Sequence, residues 1–529
     1  MYRETPNNFF QKRIVPSSMS LLTIVAYIFC LVESGFYSGW TSGLSIGGFG
    51  GLLIASLLTL LLYYCLMLCL KESVSIYPSA GGMLILPRLV FGKFGMYMVG
   101  NFLVYAYIAF AAAYVLLVVD LLKYILPLDE KGNELIADWF LFVFIYLLFT
   151  LCVIFTSNLI KALVIVFFVI TIVVLTLYSV LAFNGISYDN LLDIPDFGET
   201  PLLPHGSVGI FFSLPISIIF FVGLESLGFF TEDLQKKEVN IITASNILLA
   251  LLFVFFSVLI FIVSAHVGVQ ELKNVTQPFL MAFLKITDLP SITLKLFILF
   301  GLSFGAIGFI YASGKVIFFL SRSGYLPYAL SEPFSYSESE NNITKSKLPF
   351  LKPSLNNPWL AYLFGTFIGI VVTLVLWRLY FSYIKFGIAY ANQLLIYFAI
   401  FYIMVSYLVF FISHLSHQYR FRTPTYNNPL GKLSSALGVT ITIGMLTVFA
   451  ALFLLEYYGN EALTGNLYLL KVISMMDPNQ TIKLGVILGL IVFACTTLYY
   501  FYIARKMLLK SSDEEMVLQV EEEKLYIRK

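Results

Sequence analysis

Two interruptions rich in glycine and serine stand out from an otherwise apolar chain: Ser34-Gly35-Phe36-Tyr37-Ser38-Gly39-Trp40 and Phe221-Val222-Gly223-Leu224-Glu225-Ser226-Leu227-Gly228. Each lies inside an apolar run long enough to cross a bilayer, and each has a carboxylate with it, Glu33 and Glu225. Backbone freed at such a break cannot face lipid. It must be buried in protein or line a wet cavity, where a ligand can satisfy it. A half-helix N-terminus suits a carboxylate, whereas unwound carbonyls and helix C-terminal ends suit an ammonium group or a cation. A zwitterion matches both ends. Single glycines in membrane helices usually serve close packing, but two clusters at corresponding positions point to a binding site.

Ionisable side chains at membrane depth are costly and usually functional. Glu225 and Glu33 are therefore candidates for carrying a coupling proton; for each, the alternative is an ion pair inside the bundle, for instance with Lys315. His414 and His417 form an H-x-x-H at a helix end, beside Arg420 and Arg422. With no acidic or thiol partner close in the chain, this pair reads as a basic cap and not as a metal site. Cys30, Cys65, Cys69, Cys152 and Cys495 all fall in apolar runs and read as packing residues. There is no G-x-S-x-G, P-loop or dinucleotide fingerprint, so an ATP-driven pump is disfavoured, and no cofactor or metal is expected.

The elements that must position these residues follow from composition. The chain has 529 residues, of which 59% are hydrophobic and only 12% charged, about half the charge of ordinary soluble domains. Most of its surface must therefore face a lipid bilayer. Apolar runs predict twelve spans, at about 17–39, 49–70, 95–119, 139–156, 162–183, 208–230, 243–267, 292–314, 359–377, 387–412, 436–455 and 484–504. The fold expected is an all-α polytopic membrane protein. Lys and Arg concentrate in the segments sharing a side with the N-terminus, which places both termini in the cytoplasm. The loop 184–207 on the other side holds Asp189, Asp193, Asp196 and Glu199 and no Lys or Arg. The near balance of 32 Lys and Arg against 30 Asp and Glu supplies no basic face for nucleic acid.

The breaks stand in the first and sixth spans, at the start of two five-helix sets. Five is odd, so the sets cross the membrane in opposite senses, the inverted repeat of secondary transporters. The chain then divides into an N-terminal tail (1–16), a ten-helix transport core (17–412) with a Ser/Asn/Lys/Pro-rich connector at 322–356, two additional helices (413–505) and a C-terminal tail (506–529).

In order and spacing the motifs resemble the amino acid, polyamine and organocation permease superfamily, closest to the amino acid and ethanolamine permeases. The likeness rests on Ser34-Gly35-x-x-x-Gly39-Trp40, Gly47-Gly48-Phe49-Gly50-Gly51, Tyr77-Pro78-x-Ala80-Gly81-Gly82 with Phe91-Gly92, Phe221-Val222-Gly223-x-Glu225, and Ser313-Gly314-Lys315 through Pro327. It implies a leucine-transporter-like 5+5 repeat plus two helices, with substrate between the breaks. The substrate carboxylate would sit on backbone amides of Ser34, Gly35, Phe36, Tyr37, Ser38 and Gly39, and its amino group on carbonyls near Phe221, Val222, Gly223 and Leu224. Lys315 stands where the family often has Arg near an inner gate. The first break departs from the family's usual Gly-Ser-Gly-Ile-Phe, and Glu33 is foreign to that position.

The function expected is secondary active transport of an amino acid or small amine, proton-coupled, in the cell membrane. Its partners are then substrate, protons and lipid. Sodium is disfavoured, because span eight offers only Ser303 as a hydroxyl near its middle. Substrate exchange is the alternative mechanism; a channel, a transport-incompetent sensor, a major-facilitator carrier with its long central loop, and a polytopic enzyme fit the pattern less well.

Overall fold

A computed structural model describes residues 19–37, 39–77, 81–125, 134–155, 158–193, 200–233, 237–272, 275, 278–286, 290–331, 358–384, 388–420, 428–458 and 481–501. Both tails, most of the 322–356 connector and Ser38 lie outside the described residues.

Long runs of Leu, Ile, Val and Phe close their hydrogen bonds within one segment, the only economical backbone in lipid besides a closed barrel. They form helices where expected. These are α1 (Leu21–Tyr37), α2 (Thr41–Ile76, bent at Gly48), α3 (Ile85–Ile125, bent at Gly92), α4 (Glu134–Ile154) and α5 (Asn158–Ala182). A sixth, composite span opens with α6 (Gly206–Ser213) and continues as 3-10 turns over Ile216–Phe220 and Leu224–Asp233. Then come α7 (Lys237–Val267), α8 (Ser291–Arg322), α9 (Trp359–Ile384), α10 (Ile388–Arg420), α11 (Lys432–Tyr458) and α12 (Thr481–Tyr499). Among the described residues eight helices are long and apolar enough to cross a membrane, with α1, α4 and α12 shorter apolar helices beside them. No strand occurs among the described residues.

Several helices overrun their expected ends. Span two was expected to stop at 70 but runs to Ile76, and span eight runs past 314 to Arg322. Apolarity under-reads such ends because their polar residues are paired within the bundle. Lys71, for example, donates to Asn246 of α7 at 2.6 Å.

The central pillar is α3. Between Gly95 and Val119 almost every residue is buried, and the helix packs mainly on α10 and α8. Its small-residue stretch Ala109, Ala111, Ala112 and Ala113 is fully or almost fully enclosed, which lets neighbouring backbones approach. By contrast α4 and α5 leave Phe140, Phe144, Leu163, Val166 and Val173 exposed. Those rows face lipid.

The seam between α1 and α8 positions the first break. Gly301, Gly305 and Gly308 of α8 lie against Tyr37, Ser34 and Leu31 of α1, and an added Cβ would come within 2.4, 2.3 and 2.8 Å of those side chains. Overpacking costs about 1–3 kcal/mol. Gly305→Val is therefore expected to lower the thermal unfolding midpoint in detergent by that equivalent, and an unchanged midpoint would contradict the seam.

Candidate binding site at the two helix breaks

In α1 the helix persists through Ser34, Gly35, Phe36 and Tyr37, so the break is shorter than the expected Ser34–Gly39 unwinding. The chain leaves the helix around Gly39, whose φ is 95°, and re-enters at Thr41. Local groups satisfy the carbonyls this frees. The Trp40 indole N–H donates to the Phe36 carbonyl at 3.0 Å, and the Ser42 hydroxyl to that of Gly39 at 3.0 Å. The Ser34 hydroxyl donates back to Leu31 at 2.7 Å.

The sixth span breaks at Phe221–Gly223, as expected. The Ile218 carbonyl accepts the N–H groups of both Phe221 and Val222 at 2.9 Å, and Leu224 N–H reaches the Phe221 carbonyl at 3.2 Å. Gly223 turns at φ 104°, a left-handed conformation that a side chain disfavours. Its carbonyl accepts from the amide and hydroxyl of Ser226. Its own N–H donates to the Glu225 carboxylate at 2.9 Å. Glu225 thus caps the break from two residues away.

Three tyrosines complete the setting of Glu225. Tyr107 of α3 donates to it at 3.0 Å, and the hydroxyls of Tyr407 of α10 and Tyr63 of α2 bond each other at 2.9 Å. All four residues are 0% exposed. The carboxylate therefore ties the sixth span to α3, while the tyrosine pair ties α10 to α2.

The two breaks close on each other. A Cβ on Gly35 would lie 2.1 Å from the Ile219 main-chain oxygen, and one on Gly223 would lie 1.8 Å from a Leu31 methyl. Gly39 is likewise against the Ile219 side chain. Phe36, Phe220 and Phe221 all stack around Phe256 of α7, with centroids 6.4, 3.8 and 5.5 Å away. The structure thus brings together Gly35, Phe36, Gly39, Phe221, Val222, Gly223 and Leu224. Tyr37 points elsewhere, its ring between Phe279 and Phe297.

Glu33 belongs to neither break. It is 0% exposed, its Oε1 receives only the Thr171 hydroxyl of α5 at 3.5 Å, and its Oε2 has no hydrogen-bond partner. Neither carboxylate is paired with Lys315, so the ion-pair alternative gives way to hydroxyl and amide donors. Lys315 is buried beside the Tyr311 ring, 5.2 Å from its centroid. Tyr311 stacks on Phe230 of the sixth span and Tyr362 of α9, and touches Tyr27 of α1.

The expected basic cap at His414 and His417 is corrected by the fold. Both are buried, and an acidic partner arrives from α2. His414 Nε2 lies 3.4 Å from the Glu72 carboxylate and its Nδ1 bonds Ser435 at 2.7 Å. Gln418 and Asn428 also donate to Glu72, and Tyr77 bonds His417 at 3.2 Å. Sequence reasoning missed Glu72 and the tyrosines at Glu225. The available signal was the hydroxyl inside otherwise apolar runs at 63, 107 and 407.

Leaving a buried donor unpaired costs about 1–3 kcal/mol. Glu225→Ala, which orphans Gly223 N–H and the Tyr107 hydroxyl, is expected to lower the unfolding midpoint more than Tyr107→Phe, and Tyr63→Phe least. Equal effects of all three would contradict the arrangement.

Among curated proteins none matches the chain. Solved structures that it resembles include a Glu-to-Gln variant of the Eremococcus coleocola manganese transporter, 14% identical over 90% of this chain and 95% of that one, with a TM-score of 0.49. The same transporter in complex with an aromatic bis-isothiourea substituted compound is 15% identical at the same coverage, with a TM-score of 0.44. The profile of the amino acid permease family matches residues 19–476. With nearly the whole membrane-spanning region matched, the chain belongs to the amino acid permease family and is a membrane transporter, not an enzyme.

Proposed function

We propose that this transporter carries amino acids or related small amines by alternating access, with substrate held between the breaks of α1 and the sixth span. The observation that carries the reading is the break-to-break contact of Gly35 with Ile219 and of Gly223 with Leu31. Both spans depart from regular helix close to this meeting point, at Gly39 and at Phe221–Gly223, and a zwitterion would take over backbone groups there as the spans part. The substrate carboxylate takes amides of the Ser34–Gly39 segment and the amino group takes carbonyls of Phe221–Leu224. Since Ser34–Tyr37 are helical and shut against Ile219, substrate enters when α1 and the sixth span part. Lys315, with the stack of Tyr27, Phe230, Tyr311 and Tyr362, forms the inner gate.

Coupling is to protons, carried by a buried carboxyl at the breaks, Glu225 or Glu33. Sodium is disfavoured because span eight offers only Ser303 as a hydroxyl near its middle. The transport core is 17–412, residues 413–505 add two helices, and both termini face the cytoplasm of the cell.

The test is uptake of labelled amino acids and ethanolamine by purified protein in liposomes, with and without an inward proton gradient. Expected is saturable uptake, accelerated by the gradient and lowered more than about tenfold in Gly223→Leu, whose side chain would collide with Leu31. Unsaturable flux, or full uptake by Gly223→Leu, would overturn the carrier reading. Uptake that requires internal substrate would replace symport with exchange.

A further inference from the structure

The two buried carboxylates have opposite surroundings. Glu225 accepts from Gly223 N–H and from the Tyr107 hydroxyl, one to each carboxylate oxygen. Each of these donors suits an ionised acceptor and can stay in place throughout. Glu33 accepts one long bond from Thr171, and its second oxygen is enclosed without any donor. As an anion it would be a buried charge with almost no compensation. As a neutral acid it needs far less.

We propose that Glu33 is the residue that binds and releases the coupling proton, and that Glu225 is a fixed positioning carboxylate that holds the sixth-span break. This deepens the carrier reading above and rests on it. The titratable groups facing Glu33 are Cys30 and Tyr37, about one helical turn to either side of it on α1. The packed neighbours of α1 contribute neutral groups. From α5 come the Thr171 hydroxyl and the Val164 carbonyl, which takes the Cys30 thiol; from α7 Phe255 and Phe256; from α8 Phe297, Gly301 and Gly305; and from the sixth span Ile219. No charged partner therefore competes for the proton among these described groups.

The oxygens at hand also choose the ion. Hard metal cations require several oxygen ligands, whereas this pocket offers the Glu33 carboxyl, Thr171 Oγ1 and the Tyr37 hydroxyl, itself buried without a partner. A proton needs only the carboxyl. Glu33 follows directly on Leu31 and Val32, the residues that Gly223 packs against, and its neighbour Ser34 touches Gly305. Parting the breaks therefore shifts the helix that carries Glu33 and changes what surrounds its carboxyl. That movement couples the proton to substrate.

Two measurements on the full chain separate this proposal from the carrier reading. Infrared spectra of purified protein in lipid, recorded across pH, are expected to show a protonated carboxylic-acid band that disappears in Glu33→Gln and survives in Glu225→Gln. A band lost only in Glu225→Gln, or none assignable to Glu33 at any pH, would overturn the proposal even if transport is intact. In liposomes, Glu33→Gln is expected to retain substrate exchange within about threefold while losing gradient-driven accumulation more than about tenfold. Glu225→Gln loses both. Full proton-driven accumulation by Glu33→Gln would also overturn it. Thr171→Val, which leaves the carboxyl in place, is expected to shift the pH dependence of both the band and transport; if Glu33→Gln fails to fold, an unmoved pH profile in Thr171→Val is the overturning result. Wild-type protein that transports nothing would sink the carrier reading, while the infrared assignment would still be decided.

Discussion

Lipid offers no hydrogen bonds, and this constraint shapes both broken spans: each must satisfy its freed backbone from groups it brings itself. The first break does so with the Trp40 indole and the Ser42 hydroxyl. The sixth-span break uses Ser226 for the Gly223 carbonyl and Glu225 for the Gly223 amide. Each solution is local in sequence, within four residues, so each break can persist as the surrounding helices shift. What differs is reach. Trp40 and Ser42 each satisfy one carbonyl, whereas Glu225 takes the Gly223 amide on one oxygen and the Tyr107 hydroxyl on the other.

Charge at depth is managed chiefly by hydroxyls and amides. Glu225 is surrounded by tyrosines from α3 and α10, and Glu72 by Gln418, Asn428 and His414. A buried ion pair removes two charges from water and is often no better than neutral packing. A single carboxylate with several neutral donors bears one desolvation cost and links several helices at once. Tyrosine suits the role because its ring packs as a hydrophobe while its hydroxyl reaches a partner. The chain uses this twice on the same pair of helices, since α2 and α10 meet at Tyr63–Tyr407 and again at Glu72–His414.

The second of these links has a structural consequence for the periphery. Asn428 lies just before α11 and Ser435 in its first turn, so the Glu72 cluster fastens α11 to α2 and α10. Close packing does the same work elsewhere without polar groups. Along α8 three glycines admit α1, and the alanines of α3 let it serve as a pillar among its neighbours.

The order and placing of the twelve spans, the two glycine-bearing breaks and the resemblance to amino acid permeases were legible in the sequence. Each depends on chain-local quantities: the length of apolar runs, the spacing of Gly and Ser, and the few charges inside them. Partnerships were not legible, because they join residues hundreds of positions apart. Nothing near His414 in the chain announces Glu72, and nothing near Glu225 announces Tyr107 or Tyr407. The unwinding expected over Ser34–Gly39 contracted to the surroundings of Gly39, since helix bonding survives wherever close packing tolerates it, and Gly35 meets Ile219 without leaving the helix. Sequence alone put Glu225 ahead of Glu33 as the proton carrier, two carboxylates beside two breaks. Tertiary structure separated them by the number of donors delivered to each, which is a property of how helices assemble and not of either segment.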